Sequence, residues 1–518
     1  MPDDHDQSIA SMEAAGEPRS FHWIGFVAGP IAAIVVLIAL PDRFLDSAGI
    51  IVEFSWAGRA TLASMTWMAI WWLSEPVHVS ITALLPIVLF PILGAANAEA
   101  ACYPYADPLV FLYFGGFVIA MSMQRWGLGQ RIALATLSIV GTSSSGMIAG
   151  FMLVTAGLSA FVSNTATTAM MLPIALSVIG LLRQGTTSRL DADRFSTCLL
   201  LSIAYSASIG GVMTIIGTPT NAFLVGFVRD KIDPIYQRDI SFFDWLPIGV
   251  SFAAIFLPLC YLVLTRLLYP IGHIRIGGGD RLVANELCKL GRIGRGEWIT
   301  MAAFGITVAL WLGRPWLNQW TLMWGGAQWR PLAGLSDPVI AMVGAMLLFV
   351  TPVRWQTRSF TMDWDHAAKM PWGILLLFGG GLSLAAAMKA NGVAEFIGSH
   401  VGALGTLSPW MIVLFVTIVI VFLTELTSNA ATTASLVPVL AALAPGLGVH
   451  PYLLIFPATI AASCAFMLPV ATPPNAIIFG SGEITIRQMA WTGFALNVIA
   501  IMFVTMSAFF VVRPWLGF

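Results

Sequence analysis

The sequence predicts an all-α polytopic membrane protein, from its composition, from the spacing of its apolar stretches and from an internal repeat. Of its 518 residues, 58% are hydrophobic and 10% are charged, and the mean hydropathy is +0.84. A typical soluble domain contains about 25% charged residues, so this chain could not cover a soluble fold of its size with a polar surface. A soluble enzyme, a nucleic-acid-binding protein and a disordered scaffold are therefore excluded. The net charge of -1 gives no broad attraction to nucleic acid.

Apolar stretches of nearly membrane-spanning length follow one another along the chain. A spanning helix needs about 20 apolar residues, and the chain has room for about eleven. The acidic segment 1–20 lacks the basic region of a signal peptide and is expected to be a flexible cytoplasmic tail. The arginine-rich segment 266–297 is expected to be a cytoplasmic loop under the positive-inside rule. The ordinary apolar stretches lie at about 21–40, 56–73, 77–95, 106–124, 244–265, 297–313, 334–353, 370–388 and 488–512.

One region that does not read as an ordinary span contains no charged residue from Ile132 to Leu182. Its centre, from Ser159 to Thr168, is polar and rich in small residues. The apolar arms on either side, at about 146–161 and 169–182, are each too short to cross a bilayer. Because both flanks are basic, the two ends are expected on one side of the membrane. The region therefore predicts a re-entrant hairpin, here called the first hairpin, with its tip inside the membrane.

A second region repeats this design. Between Phe396 and Gly482 the only fixed charge is Glu425. Apolar arms at about 407–423 and 434–447 flank a polar tip that runs from Thr424 to Thr433. This region predicts a second re-entrant hairpin. Glu425 at intramembrane depth indicates either a proton-coupling group or a structural hydrogen bond that braces the hairpin.

Each hairpin is followed by a long apolar segment with a proline-containing break. The first break reads Gly217-Thr218-Pro219-Thr220-Asn221 and the second reads Ala471-Thr472-Pro473-Pro474-Asn475. Proline removes a backbone donor and stops a helix. Inside a bilayer the freed carbonyl groups need a partner, a cavity or an ion. Both segments are therefore predicted to be discontinuous helices.

The two halves of the chain carry these features in the same order and at the same spacing. Phe114-Gly115-Gly116 precedes Ser163 by 49 residues, and Phe378-Gly379-Gly380 precedes Ser428 by 50. With a cytoplasmic N-terminus, the predicted spans place the first hairpin towards the cytoplasm and the second towards the outside, and the C-terminus outside. The halves are then an inverted repeat, and paired broken helices in such a repeat are typical of secondary transporters.

The hairpin tips offer uncharged oxygen atoms to a small cation. Ser159, Ser163 and Asn164 in the first tip have hydroxyl and amide oxygens about one helical turn apart. A carbonyl oxygen from the following break could complete the shell, and neutral oxygens suit Na+ better than Mg2+ or Ca2+, which favour carboxylates. The same tips offer donors to an anion at the start of a half-helix. The alternative interpretation is that these side chains only form hydrogen bonds to neighbouring helices. The presence of two matching clusters in the same order argues against this alternative.

The motifs resemble the divalent anion/sodium symporter family, which includes the citrate and dicarboxylate carriers. The resemblance rests on Ser163-Asn164-Thr165, on Ser428-Asn429 and on the run from Met467 to Ala476, and it covers roughly residues 20–515. It also includes the early segments Trp71-Trp72-Leu73-Ser74-Glu75 and Thr82-Ala83-Leu84-Leu85-Pro86.

This resemblance implies two sodium sites, an anion site between them and a homodimer that works in the lipid bilayer of the cell (inner) membrane. It implies a first sodium site of Ser159, Ser163, Asn164 and the Gly217 carbonyl, and a second of Thr424, Ser428, Asn429 and the Ala471 carbonyl. It implies that the anion meets Asn164, Thr165, Thr218, Asn429 and Thr472, with Pro219 and Pro473 shaping the pocket. No organic cofactor, enzymatic activity or nucleic-acid partner is implied.

The family also implies a scaffold domain and a transport domain that moves like an elevator. The expected division of the chain is a tail (1–20), scaffold (21–131), transport domain (132–265), cytoplasmic loop (266–297), scaffold (298–400) and transport domain (401–518).

One residue departs from the family pattern. Ala430 stands where a threonine usually follows the second Ser-Asn pair, so one hydroxyl donor is absent from the expected anion pocket. The carried anion is therefore expected to be smaller, less symmetric or differently charged than succinate. The leading hypothesis is sodium-coupled symport of a small di- or tricarboxylate. A sodium-independent anion exchanger of the same fold, and a multi-span membrane enzyme, are the alternatives.

Overall fold

A computed structural model describes residues 23–45, 50–140, 143–185, 188–271, 279–324, 327–400 and 407–518. The expected tail at 1–20, the first two residues of the stretch 21–40, part of the segment 266–297 and the expected domain boundary at 401 lie outside these ranges. The described chain is mostly helical with almost no sheet, which confirms the predicted all-α class. Three short antiparallel strand pairs lie between helices: β1 (Arg43–Leu45) with β2 (Ile51–Glu53), β3 (Leu322–Trp324) with β4 (Ala327–Trp329), and β5 (Pro352–Arg354) with β6 (Ser359–Phe360).

The first seven helices precede the first hairpin, and their ends follow from local sequence. Ser55 caps α2 by accepting a hydrogen bond from the Gly58 amide, and Asp107 caps α6 in front of Pro108. Proline at the first position suits a helix start because its missing donor would be unpaired there. The helices are α1 (Trp23–Ala39), α2 (Trp56–Ser74), α3 (Val79–Thr82), α4 (Leu85–Leu93), α5 (Ala98–Cys102), α6 (Pro108–Arg125) and α7 (Leu128–Val140), with a 3-10 turn at Tyr103–Ala106.

The first hairpin and the first broken helix follow. The spanning part of α10 is buried along its whole length, so this helix forms the centre of the protein. The elements are α8 (Ser144–Ser159), α9 (Asn164–Gly185), α10 (Arg189–Val212), α11 (Pro219–Gly226) and α12 (Phe242–Leu262), with π turns at Phe227–Lys231 and Val263–Leu268 and a 3-10 turn at Pro234–Tyr236.

The second half repeats this order. Its first helices are α13 (Gly279–Lys289), α14 (Arg295–Leu317), α15 (Asp337–Val350), α16 (Trp364–Ala367), α17 (Trp372–Ala390) and α18 (Val393–His400). The second hairpin is formed by α19 (Pro409–Thr424) and α20 (Asn429–Gly446), and the second broken helix by α21 (Tyr452–Ala462) and α22 (Pro473–Gly480). The chain continues with α23 (Ile486–Ser507), a π turn at Ala508–Val512 and α24 (Arg513–Leu516).

Seven helical segments of the described chain are long and apolar enough to cross a membrane, and further apolar helices are shorter. One of the seven is Asn164–Gln184 in α9, so the expectation that both arms of the first hairpin are short is wrong for the second arm. The polar residues 164–168, expected at the tip, instead form the first turn of α9. The expected loop 266–297 is also not a simple loop, because it contains α13 and the first residues of α14.

The two halves are interlocked at their broken helices. The short helix α22 of the second half packs against α9 and α10 of the first. In return, α11 of the first half packs against α20 and α21 of the second. Each hairpin therefore faces a half-helix that the other repeat supplies, and this exchange brings the two breaks to the centre of the fold.

Candidate functional site

The tip of the first hairpin is built on a hydrogen-bonded serine and asparagine. Helix α8 ends at Ser159 and α9 begins at Asn164. The Ser159 hydroxyl lies 2.5 Å from the Asn164 Oδ1 atom and 2.8 Å from the carbonyl oxygen of Ala207 in α10. This hydrogen bond joins residues that are five apart along the chain, because α8 stops at Ser159 and α9 starts at Asn164. The Asn164 amide is thereby fixed beside the central helix.

The tip of the second hairpin has the same construction. Helix α19 ends at Thr424 and α20 begins at Asn429. The Thr424 hydroxyl lies 2.8 Å from the Asn429 Oδ1 atom and 2.9 Å from the carbonyl oxygen of Ala462 in α21. The separation along the chain is again five residues. The repeat that the sequence indicates is therefore reproduced at the level of individual hydrogen bonds.

The first break is a short non-helical segment, residues 213–218, between α10 and α11. The Asn221 side-chain amide donates to the carbonyl oxygens of Gly211 (3.2 Å), Val212 (3.2 Å) and Thr214 (2.8 Å). Unwound carbonyl groups at this depth need a donor, because water is scarce in the bilayer interior. The Asn221 side chain supplies that donor and so stabilises the non-helical segment.

The first tip and the first break meet at Gly211. A Cβ atom at this glycine would lie 2.7 Å from Asn164 Oδ1 and 3.2 Å from the Gly217 carbonyl oxygen. The side-chain oxygen of Asn164 and the backbone oxygen of Gly217, both expected to bind sodium, are thus brought together in the space that the absent side chain leaves. The Thr214 hydroxyl ties the break to the tip by donating to the Ala160 carbonyl oxygen.

The second break is longer, spanning residues 463–472 between α21 and α22. The Asn475 side-chain amide donates to the carbonyl oxygens of Ala465 (3.2 Å) and Leu468 (3.1 Å). These acceptors precede Asn475 by ten and seven residues, as Gly211 and Thr214 precede Asn221. Asn221 and Asn475 are therefore equivalent residues of the two repeats.

Glu425 joins the second tip to the second break. Its side chain is 3% exposed and accepts hydrogen bonds from the backbone amides of Phe466 (2.7 Å), Met467 (2.9 Å) and Leu468 (3.1 Å). The Asn497 side-chain amide of α23 donates to the same carboxylate at 2.6 Å. Of the two interpretations of this residue, the geometry supports the structural hydrogen bond.

Two further contacts tie the breaks to their surroundings. The Thr220 and Ser463 hydroxyl oxygens lie 3.0 Å apart, so α11 of the first repeat touches the second break directly. The Tyr113 hydroxyl of α6 lies 2.8 Å from the Ile215 carbonyl oxygen and 2.5 Å from that of Thr218. The first break is thus also held by a helix of the expected scaffold.

The remaining expected ligands lie on the same elements with different degrees of exposure. The side chains before the prolines, Thr218 and Thr472, are buried, whereas Thr165 and Pro473 are exposed. The first turns of α9 and α22 are therefore less covered than the two threonines. Gly217 and Ala471, whose backbone carbonyl oxygens are the expected ligands, are buried. The partly buried residues of the set are Ser163, Asn164, Pro219, Ser428, Asn429 and Ala430.

Sequence reasoning did not assign roles to Asn221, Asn475, Tyr113 or the Thr220–Ser463 pair. The signal for the two asparagines was present, because each follows a Thr-Pro pair at the same position of its break. An asparagine repeated beside an unwound segment is an obvious donor for its carbonyl groups. No local pattern marks Tyr113, whose acceptors lie more than one hundred residues away.

The interlocked hairpins and broken helices define a membrane transporter, and comparison with known sequences gives the family. The sequence model described as "Sodium:sulfate symporter transmembrane region" matches residues 24–516. The chain belongs to this family of divalent anion/sodium symporters, as its motifs predict. It is a multi-pass transporter and not an enzyme.

Curated relatives match over nearly the whole chain. A sodium-dependent dicarboxylate transporter, SdcS, from Staphylococcus saprophyticus is 36% identical over 498 residues, which cover 95% of this chain and 92% of the relative. The protein of the same name from Staphylococcus aureus strain MW2 gives the same identity and coverage.

Two solved structures share the fold at low sequence identity. The YdaH transporter of Alcanivorax borkumensis superposes with a TM-score of 0.56 at 14% identity, covering 96% of this chain and 98% of that chain. MtrF of Neisseria gonorrhoeae, described as one of a class of antimetabolite efflux pumps, gives a TM-score of 0.60 at 11% identity and covers 98% of both chains. These likenesses concern the fold alone.

Proposed function

We propose that this protein couples the inward flow of Na+ to the transport of a small dicarboxylate across the cell membrane. The observation that carries the proposal is the matched pair of tips, in which Ser159 with Asn164, and Thr424 with Asn429, form the same hydrogen bonds. The names of the relatives, sodium-dependent dicarboxylate transporters, support the substrate class and the coupling ion.

Each tip supplies neutral oxygens suited to one Na+. The first ion would meet the side chains of Ser159, Ser163 and Asn164 and the Gly217 carbonyl oxygen. The second would meet Thr424, Ser428 and Asn429 and the Ala471 carbonyl oxygen. Uncharged hydroxyl, amide and carbonyl oxygens suit a hard monovalent cation, whereas carboxylate-rich shells suit divalent ions. In each hairpin, the hydrogen bond from the tip hydroxyl to the asparagine holds the amide oxygen in place before the ion arrives.

The anion would lie between the two ions, at the N-terminal ends of four helices. Backbone amides and the helix dipole favour negative charge at a helix start. Helices α9 and α20 begin at Asn164 and Asn429, and α11 and α22 begin one residue after Thr218 and Thr472. Thr165, Pro219, Ala430 and Pro473 would complete the pocket. The bound sodium ions offset the cost of placing a dianion in low dielectric.

Transport would follow an elevator motion within a homodimer, with the N-terminus in the cytoplasm and the C-terminus outside. The scaffold would comprise α1–α6 and α14–α18, and α7 would connect it to the moving part, because the expected boundary at 131–132 falls within this helix. In the described chain, two salt bridges join the expected moving part to the scaffold, each at 2.8 Å. Arg229 pairs with Asp107 at the start of α6, and Asp239 pairs with Arg314 of α14. For every net positive charge that enters with the anion, a potential of 100 mV supplies about 2.3 kcal/mol.

Uptake into proteoliposomes tests this function. Purified protein is reconstituted, and uptake of radiolabelled succinate or malate is measured with external NaCl and with choline chloride at equal ionic strength. We expect uptake to rise with the inward Na+ gradient and to increase further when the interior is made negative. Equal uptake in both media would reject sodium coupling, and counterflow driven only by internal dicarboxylate would then establish an exchanger. Unlabelled citrate, tartrate, fumarate and sulfate as competitors define the anion.

A further inference from the structure

The second break contains backbone donors that its own helix does not satisfy. Helix α21 ends at Ala462, and the amides of Phe466, Met467 and Leu468 lie beyond it in a non-helical segment. Phe466 is buried there, and Met467 and Leu468 are partly buried. A buried amide without a partner costs free energy comparable to a lost hydrogen bond. The Glu425 carboxylate accepts from all three of these amides, so it takes the place of helical carbonyl groups.

The first repeat is built without such a carboxylate. Ala160 follows Ser159 as Glu425 follows Thr424, so alanine occupies the equivalent position. The first break is held to its tip by the Thr214 hydroxyl, and the residue equivalent to Thr214 in the second repeat is Leu468. The first break has six residues and the second has ten. The longer break, which lacks the threonine, is the one that a carboxylate holds.

The partner of Glu425 differs between the repeats in the same way. Gly249 of α12 and Gly493 of α23 both pack tightly on the backbone at equivalent positions of the two broken helices, and a Cβ at Gly493 would lie only 2.2 Å from the Phe466 carbonyl oxygen. Asn497 lies four residues after Gly493, and Ala253 lies four residues after Gly249. Glu425 and Asn497 thus stand where the first repeat has two alanines. Because the two side chains are also hydrogen-bonded to each other, we treat them as one structural pair.

We propose that Glu425, braced by Asn497, is a positioning residue for the second sodium site. It sits next to Thr424 and on the same tip as Ser428 and Asn429, and it fixes the start of the segment that leads to the Ala471 carbonyl. It holds these sodium ligands in one arrangement without binding the ion itself. Sodium binding in the second repeat therefore depends on this carboxylate, whereas binding in the first repeat does not. This inference rests on the sodium-coupled function proposed above.

The test is the sodium dependence of uptake by a Glu425→Gln variant in proteoliposomes. The amide keeps the shape of the side chain but replaces one acceptor oxygen with a donor that faces backbone donors. We expect the Na+ concentration for half-maximal uptake to rise roughly tenfold, as loss of charge-assisted hydrogen bonds implies, and the cooperativity for Na+ to fall. The maximal rate at saturating Na+ should stay within about twofold of wild type, because the site still forms when the ion is abundant.

A second variant, Asn497→Ala, removes one of the four hydrogen-bond donors to the Glu425 carboxylate. We expect it to raise the Na+ concentration for half-maximal uptake by roughly threefold.

Glu395→Gln is the matched control, since this exposed carboxylate of α18 lies outside the site. It should leave the sodium dependence of uptake unchanged.

Four outcomes would contradict the inference or the function on which it rests. If Glu425→Gln lowers the maximal rate without changing the Na+ concentration for half-maximal uptake, Glu425 is merely structural and the inference is wrong. If it flattens the pH profile of uptake and leaves sodium dependence intact, Glu425 carries a proton instead. Should Glu425→Gln fail to fold, Asn497→Ala decides, because unchanged half-saturation there overturns the inference. Sodium-independent uptake by the wild type would defeat the proposed function itself.

Discussion

The two hairpin–break pairs share the contacts nearest to the proposed ligands and differ in what supports them. In both, a hydroxyl at the end of the first arm meets an asparagine at the start of the second, and an asparagine after the break binds freed carbonyl groups. The supports differ: a threonine hydroxyl holds the first break, and a buried glutamate with an asparagine partner holds the second. The repeats are therefore equivalent in these hydrogen bonds but not interchangeable in construction.

The largest expected effect comes from the residues that both repeats share. Asn164→Ala and Asn429→Ala should each reduce sodium-driven uptake to background, because each removes an oxygen ligand and leaves the hydroxyl of Ser159 or Thr424 without its side-chain partner. Uptake in proteoliposomes measures the loss, and size-exclusion chromatography establishes that each variant still folds.

Asn97→Ala is a suitable control for these variants, since Asn97 only caps the exposed start of α5. Substantial sodium-driven uptake by either Asn164→Ala or Asn429→Ala would remove that residue from the site.

A smaller effect should distinguish the repeats. Gly211→Ala would place a methyl group 2.7 Å from Asn164 Oδ1, whereas the equivalent residue of the second repeat is already Ala465. Overpacking of this kind costs about 1–3 kcal/mol, so we expect half-saturation by Na+ to rise roughly tenfold. A titration of uptake against Na+ at constant ionic strength measures the shift.

The reverse change, Ala465→Gly, is the companion variant and should alter sodium affinity less than Gly211→Ala. If both substitutions have the same effect, the two sites are arranged more alike than the structure indicates.

The smallest expected effect concerns the residue after each tip asparagine, Thr165 in the first repeat and Ala430 in the second. Ala430→Thr would restore a hydroxyl donor, and a single hydrogen bond contributes about 0.5–1.5 kcal/mol. We expect the affinity for one or more dicarboxylates to change by about threefold to tenfold while sodium dependence is kept. Competition by a panel of acids measures this, and unchanged inhibition constants across the panel would mean that position 430 does not contact the anion.

The parts of the fold that repeat in sequence could be predicted, and the contacts between distant segments could not. The hairpins, the breaks and their order follow from charge-free stretches, polar tips and prolines, all of which are local. The length of the second arm of the first hairpin could not be predicted, because polar residues such as Asn164 and Thr168 are typical of a tip although they continue the helix. Helix α13 was missed because its polar sequence resembles a loop.

The partners of Glu425 show the limit of local reasoning. The sequence marks this residue as unusual, since it is the only fixed charge in a long apolar region. Its hydrogen-bond donors, however, lie 41 to 72 residues further along the chain. Apolar periodicity predicts that helices form and which face is buried, but it carries no information on which helices become neighbours. The same reason applies to the exchange of α11 and α22 between the halves.

That exchange also bears on how such a chain could have arisen. A single ancestral repeat would have possessed a hairpin but not the half-helix that packs against it, because α22 lies on α9 and α11 lies on α20. Two separate copies would have had to intertwine in opposite orientations before either could fold around a solute. Because one chain carries both copies, each copy can change on its own, and the carboxylate present in the second repeat alone is a difference of this kind.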